Sequence, residues 1–310
     1  MSALTLKGPY WVTVRRYRRV LWAIPAVVAV SLAAVLALRV GAGVPHSDRM
    51  SVSPPNPGYD LLRLGMEWAG GGLLFLPLLV GAFVAGPMTA RELEDGTWRL
   101  ALTQSTTARA WLGAKVLVAA VASSVGAAAL VGVYRLGWVR VYGTHQLHWA
   151  DRGPYEAGGP VLIGYCLLGV ALGALVGRLV RRTFAAMAVT GLLTGLVLLA
   201  MGALRWSFLP VRTETAPFPS GGAAGMQPNA LLMDSGYVSA TGERLPDHAC
   251  FERTHDMGVC PADLNVVARY ADIHPFSHYW PTQLVETSLV LVLAAGLLWA
   301  AFRLVRTPRS

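Results

Sequence analysis

Charge is scarce in this sequence. Asp, Glu, Lys and Arg make up 14% of the 310 residues, while 54% are apolar; soluble domains carry roughly 25% charged residues. That balance excludes a water-soluble enzyme with its core wrapped in a solvated face, and an integral membrane protein is the first reading. Lysine is scarcer still, with Lys7 and Lys115 alone among 26 basic residues. Neither stands in a Gly-Lys-Ser/Thr ending, so no P-loop is available to hold nucleotide phosphates. Both lie beside apolar stretches, which argues against a Schiff-base or general-base lysine. A Gly-x-Ser-x-Gly nucleophile elbow is missing too, and a hydrolase built from Ser235, His248 and Asp234 is set aside. Cysteine is limited to Cys166, Cys250 and Cys260.

What is present is apolar length and arginine. A bilayer core needs about 20 apolar residues in a helix, and six such runs are expected, at about Val20–Leu38, Trp68–Met88, Leu112–Val133, Pro160–Val176, Phe184–Leu204 and Leu284–Phe302. The formal charge is +9, but the arginine clusters abut apolar runs, so lipid headgroups rather than nucleic acid are the expected anion. Basic residues in short loops are retained in the cytoplasm. Placing both termini there puts 15 of the 26 basic residues in the short inner segments, including Arg15, Arg16, Arg18 and Arg19 before the first span. The tryptophans then fall at span ends, the level that indoles prefer. The first apolar run is too long for a signal-peptide core. Residues 1–19 read as a basic segment, either an amphipathic helix on the inner leaflet or a frayed tail.

The expected architecture is an all-α integral membrane protein with six transmembrane helices and both termini cytoplasmic. Residues 20–204 hold spans one to five, 205–282 a large extracytoplasmic loop, 283–303 span six and 304–310 a cytoplasmic tail. The loop carries Cys250 and Cys260 in an oxidising compartment, a candidate disulfide. His248, His255, His274 and His278 invite a zinc reading, but their spacing fits no ligand template and surface histidines are the simpler account. Gly169, Gly173 and Gly177 in span four, and Gly191 and Gly195 in span five, recur every four residues. That is a signal for close helix packing, within the chain or between two copies. Glu286 lies just inside the outer end of span six. An ionisable group there either faces a cavity or partner, or reaches the headgroups.

Between spans two and three, Glu92, Glu94 and Asp95 gather in four positions, the only acids expected on the inner side. Gly96 ends their short helix and Thr97 is a plausible cap for the next. The cluster reads equally as an acidic knob for a soluble partner or as neutralisation of Arg91 and Arg99.

The run Ala90–Gln104, with Arg109, Trp111 and Lys115 after it, resembles the segment following the second span in actinobacterial export-type (type two) ABC-transporter permease subunits. A second stretch, from His274 through Trp280, Pro281 and Gln283 to Glu286 and Thr287, resembles that family's Pro-x-Ser-Arg-Phe-Trp-Pro-x-Gln-x-x-Glu-Thr pattern, with His278 and Tyr279 in place of Arg and Phe. The resemblance implies a permease without an enzymatic site or cofactor of its own. ATP and Mg would sit on a separate cytoplasmic ABC ATPase, and a second copy or a related permease would complete the pair. A coupling segment at about 89–111 would engage the ATPase through Arg91, Glu92, Glu94, Asp95, Gly96, Thr97, Arg99 and Arg109. The expected cargo is amphipathic or lipophilic, and the expected location a bacterial plasma membrane. A membrane anchor or sensor remains the alternative; an ion-coupled transporter would need more buried carboxylates than Glu286.

Overall fold

A computed structural model describes residues 8–43, 56–98, 107–142, 147–218, 229–256 and 259–306. They fall into two compact units, one of residues 1–205 and 283–310, the other Trp206–Thr282.

The first unit is helical. Helix α1 (Pro9–Arg16) precedes α2 (Arg18–Gly41), so the N-terminal segment is helical over Pro9–Arg16. Helix α3 (Pro57–Leu74) begins at Asn56, whose side chain accepts from the backbone N–H groups of Gly58 and Tyr59. It continues through a short α4 (Leu76–Leu79), a π-helical stretch (Val80–Ala85) and α5 (Gly86–Glu94). The expected second span, Trp68–Met88, is therefore one limb of a longer composite running from Pro57 to Glu94. Pro77 and Pro87 each remove a ladder donor, and the turns between them widen to the π pattern. Helices α6 (Ala108–Trp138), α7 (Arg152–Ala157), α8 (Val161–Val180), α9 (Thr183–Leu204) and α11 (Tyr279–Arg306) follow. Among the described residues, six helices are long and apolar enough to cross a membrane.

Helix α8 is the centre of this unit. About 78% of its apolar window is buried, against 6% for α2. Glycine at every fourth position lets the composite second span approach closely. A Cβ on Gly169 would stand 2.8 Å from the Pro77 carbonyl oxygen, and one on Gly173 2.4 Å from the Ala85 Cβ. The Thr89 hydroxyl donates to the Gly173 carbonyl at 3.2 Å. The small-residue stripe of α8 thus packs within the chain. Lipid-facing helices keep their large apolar residues outward, as with Phe184, Leu192 and Val292, because acyl chains solvate them as well as a core does.

The second unit corrects the all-α expectation. Residues 205–282 are expected as a polar loop, yet the described residues among them hold four strands, β1 (Arg212–Pro217), β2 (Leu231–Ser239), β3 (Arg244–Pro246) and β4 (Val266–His274). They form an antiparallel sheet in the order β1-β4-β2-β3. Tyr237 and Ile273 are buried on one of its faces and Tyr270 on the other, since successive strand residues point to opposite sides. The short helix α10 (Phe251–Thr254) follows Cys250, and Cys250 is joined to Cys260 in a disulfide. Cys166 is a buried free thiol in α8.

Candidate functional site

Two charged clusters stand out in the helical unit. The first ties the end of α5 to α1 and α6. Glu92 is buried, and its Oε1 takes Arg16 and Lys115, each at 2.7 Å. Its Oε2 accepts the Trp111 indole N–H at 2.8 Å. Lys115 also donates to the Met88 carbonyl at 2.6 Å and lies 4.7 Å from the Trp111 ring. One carboxylate here serves two cations and an indole, because a charge in this setting survives only when paired and fully hydrogen-bonded.

This geometry corrects the expectation of three acids exposed together. Helical spacing turns Glu92 inward toward α6, while Glu94 and Asp95 stay exposed. Glu94 accepts from the Thr183 backbone N–H at 2.8 Å and hydroxyl at 2.6 Å. It thus caps the start of α9 from another helix, where a negative group meets the positive end of the helix dipole. Asp95 lies 3.8 Å from Arg91, one helical turn back. Gly96 follows with φ +69°, a conformation that glycine adopts without Cβ strain, and Thr97 beyond it is exposed. Thr97 directly precedes Trp98, which is helical, and α6 is capped by Thr107, whose hydroxyl accepts from Ala110 N–H. Arg109 is exposed in the first turn of α6. Arg99 lies outside the described residues, as do Thr103 and Gln104.

The second cluster joins α7, α8, the end of α9 and α11. Glu286 faces the other spans and is fully buried. Its Oε2 receives Arg205 Nε at 2.8 Å, and its Oε1 receives Arg205 Nη2 at 3.0 Å and the Tyr165 hydroxyl. Arg205 also donates to Glu156 Oε1 at 2.6 Å and stacks 3.8 Å over the Tyr155 ring. One guanidinium thus bridges two carboxylates, all three side chains at most 5% exposed. Glu156 Oε2 has no hydrogen-bond partner among the described residues. Burial raises the Glu156 carboxyl above its ordinary value, against the pull of Arg205. Gln283 seats beside them, its Oε1 accepting Val161 N–H at 3.2 Å and its Nε2 donating to the Tyr155 carbonyl at 2.6 Å.

The composition of these clusters was only half legible. Arg16 and Lys115 counted as inner basic charge and Trp111 as part of the resemblance, while Glu156, Arg205 and Tyr165 were not singled out at all. The usable signal was charge balance: a carboxylate such as Glu286 inside a span requires a cation, and Arg205 at the end of α9 is one.

In the β unit, the His274 and His278 Nδ1 atoms are 3.0 Å apart and the ring centroids 5.3 Å apart. That is near the greatest centroid separation such a contact allows, so the nitrogens point at each other along one line. His274 Nε2 faces the Trp206 carbonyl at 3.2 Å. A carbonyl only accepts, which puts the His274 proton on Nε2 and makes His278 Nδ1 the donor to His274 Nδ1. The lone pairs do not converge on a third point, as metal ligation requires, and no group of three or more metal-ligating side chains occurs among the described residues. Burial and the neighbouring His278 hold the His274 imidazole below its usual value, against the Trp206 carbonyl. The Thr213 hydroxyl and Arg244, which lies 2.8 Å from its carboxylate, hold Asp272 below the usual carboxylate range.

No curated protein and no solved structure matches the chain. Residues 57–205, the stretch running from the composite second span to Arg205, match the family described as ABC-2 membrane transporter related. With six apolar helices of spanning length, this match supports a multi-pass membrane protein of the ABC-2 permease type.

Proposed function

We propose that this chain is the membrane-spanning subunit of an ATP-driven ABC exporter in a bacterial plasma membrane. Both termini face the cytoplasm, and an amphipathic or lipophilic substrate leaves by conformational exchange of the spans. ATP and Mg are held by a separate cytoplasmic ATPase, which acts on a pair of permease subunits. The observation that carries this reading is the lock on Glu92 inside the family-matched region. The end of the second span is bonded to α1 through Arg16 and to α6 through Lys115 and Trp111, and Glu94 bonds the start of α9. A push on the exposed turn at Asp95–Thr97 therefore reaches four helices at once. Coupling of this kind needs discrete packed elements that a ligand biases between two states.

The docking surface narrows accordingly to Arg91, Asp95, Gly96 and Thr97, with Arg109 nearby in sequence at the start of α6, while Glu92 and Glu94 hold the surface in place. Purifying the tagged chain from its native membrane tests the reading. A P-loop ATPase identified by mass spectrometry, whose hydrolysis rises when the chain is present, is the expected result. A chain that purifies without any ATPase, or leaves its activity unchanged, overturns it.

A further inference from the structure

Helix α1 has a cavity on either flank, and their chemistry differs. On the side of Trp11, Thr13 and Arg16, a cavity of about 420 Å³ reaches Glu92, Trp111 and Lys115. Its charged side chains are Arg16, Lys115 and Glu92, which leaves one positive charge in excess. Every oxygen of Glu92 is occupied, as described above, and Arg16 remains 45% exposed with only one nitrogen engaged by Glu92. The exposed Arg15 stacks 4.9 Å from the Trp11 ring, and Arg18 and Arg19 are exposed beyond it. On the side of Tyr10 and Val14, a groove of about 450 Å³ runs along α2 and α6 past Ile24, Val121 and Val125. It offers apolar surface to its occupant and no charged group.

We propose that these two flanks together bind one anionic phospholipid of the cytoplasmic leaflet, its phosphate against Arg16 and an acyl chain in the Ile24–Val125 groove. Three observations agree on that occupant: a surplus cation at a cavity, an exposed guanidinium with free donors, and an apolar groove one helix width away. A soluble anion would satisfy the first two and leave the groove unused. A neutral lipid would fill the groove and leave the surplus charge unmet. The exposed indole of Trp11 suits the headgroup level, where the ring is apolar and the N–H is wet. Because α1 is bonded to Glu92, lipid held here bears on the same lock that positions the turn at Asp95–Thr97. The inference rests on the proposed cytoplasmic placement of α1.

The test is lipid retention, read without any transport assay. The full chain is reconstituted into nanodiscs of equal phosphatidylglycerol and phosphatidylcholine, released, and examined by native mass spectrometry. The parent is expected to retain phosphatidylglycerol preferentially, one per chain. Removing one lysine or arginine near an anionic surface costs about fivefold in binding, so Arg16→Gln is expected to lower that preference by about fivefold. Val121→Trp, which fills the groove and touches no charge, is expected to lower retention of both lipids. Inorganic phosphate at millimolar concentration is expected to leave retention unchanged; displacement by phosphate would identify a free-anion site instead and overturn the proposal. Equal retention of the two lipids by the parent, or parental preference in Arg16→Gln with an unchanged melting temperature, also overturns it. If Arg16→Gln melts early, Val121→Trp decides: parental retention of both lipids by that variant counts against the site. None of these outcomes depends on an ATPase, so failure here leaves the exporter reading standing, and failure to find an ATPase leaves the lipid measurement intact.

Discussion

Replacing Arg205 by Met removes the single cation shared by Glu156 and Glu286 and keeps most of the side chain's volume. Both carboxylates would then stand buried together, at most 5% exposed, with the Tyr165 hydroxyl still donating to Glu286. Removing one partner of a buried ion pair costs about 3–5 kcal/mol. At about 2–4 °C per kcal/mol for a unit of this size, the loss in melting temperature is on the order of 10 °C. The same physics predicts a rescue. Adding Glu156→Gln and Glu286→Gln removes the uncompensated charges, and a neutral cluster of similar shape is often as stable as the ionic one. Thermal melting of the parent, Arg205→Met and the triple variant in one detergent measures both effects. The account is refuted if Arg205→Met melts with the parent, or if the triple variant melts no higher than the single one.

Glu92→Lys sets a third cation against Arg16 and Lys115 and is expected to cost about 3 kcal/mol, whereas Asp95→Lys, on an exposed pair, is expected to change stability by under about 1 kcal/mol; parallel melts separate them, and equal effects would refute the burial of Glu92. Gly173→Val brings a side chain into the Ala85 contact, where even a Cβ stands 2.4 Å away; overpacking of this kind costs about 1–3 kcal/mol, and an unchanged melting temperature would contradict the close approach of α8. Because the His274 value is lower in the folded state, the unfolded chain binds its proton first as pH falls through 6.5, so the stability of the β unit declines on acidification below that point. His274→Gln is expected to flatten the decline, read by denaturant unfolding at several pH values.

The membrane part of the fold was legible because its signal is length. Twenty apolar residues in a row admit few other structures, and all six runs became helices. The ends were less legible, since α3 starts at Pro57 in sequence that mixes Asp60, Arg63 and Glu67 with its apolar residues. The sheet was hidden for a different reason. Its strands include Asp234, Ser235, Arg269 and Asp272; Asp234 accepts from the Tyr270 hydroxyl, and Asp272 from Thr213 and Arg244, across strands, so composition alone reads as loop. Glu92 shows the limit of charge patterning: three acids in four positions share a sequence neighbourhood but not a helix face. Its partners Arg16 and Lys115 lie 76 and 23 residues away, and that distance is closed only by packing α1 and α6 against α5.

The most direct measurement of the central claim is ATP hydrolysis by the co-purified ATPase in proteoliposomes, with the parent chain and with Asp95→Lys. The account predicts that the parent stimulates hydrolysis, and that Asp95→Lys loses most of that stimulation while melting within about 1 kcal/mol of the parent. Stimulation at the parental rate by Asp95→Lys would contradict the placement of the coupling surface at the turn beyond α5, and no stimulation by the parent would contradict the exporter reading itself.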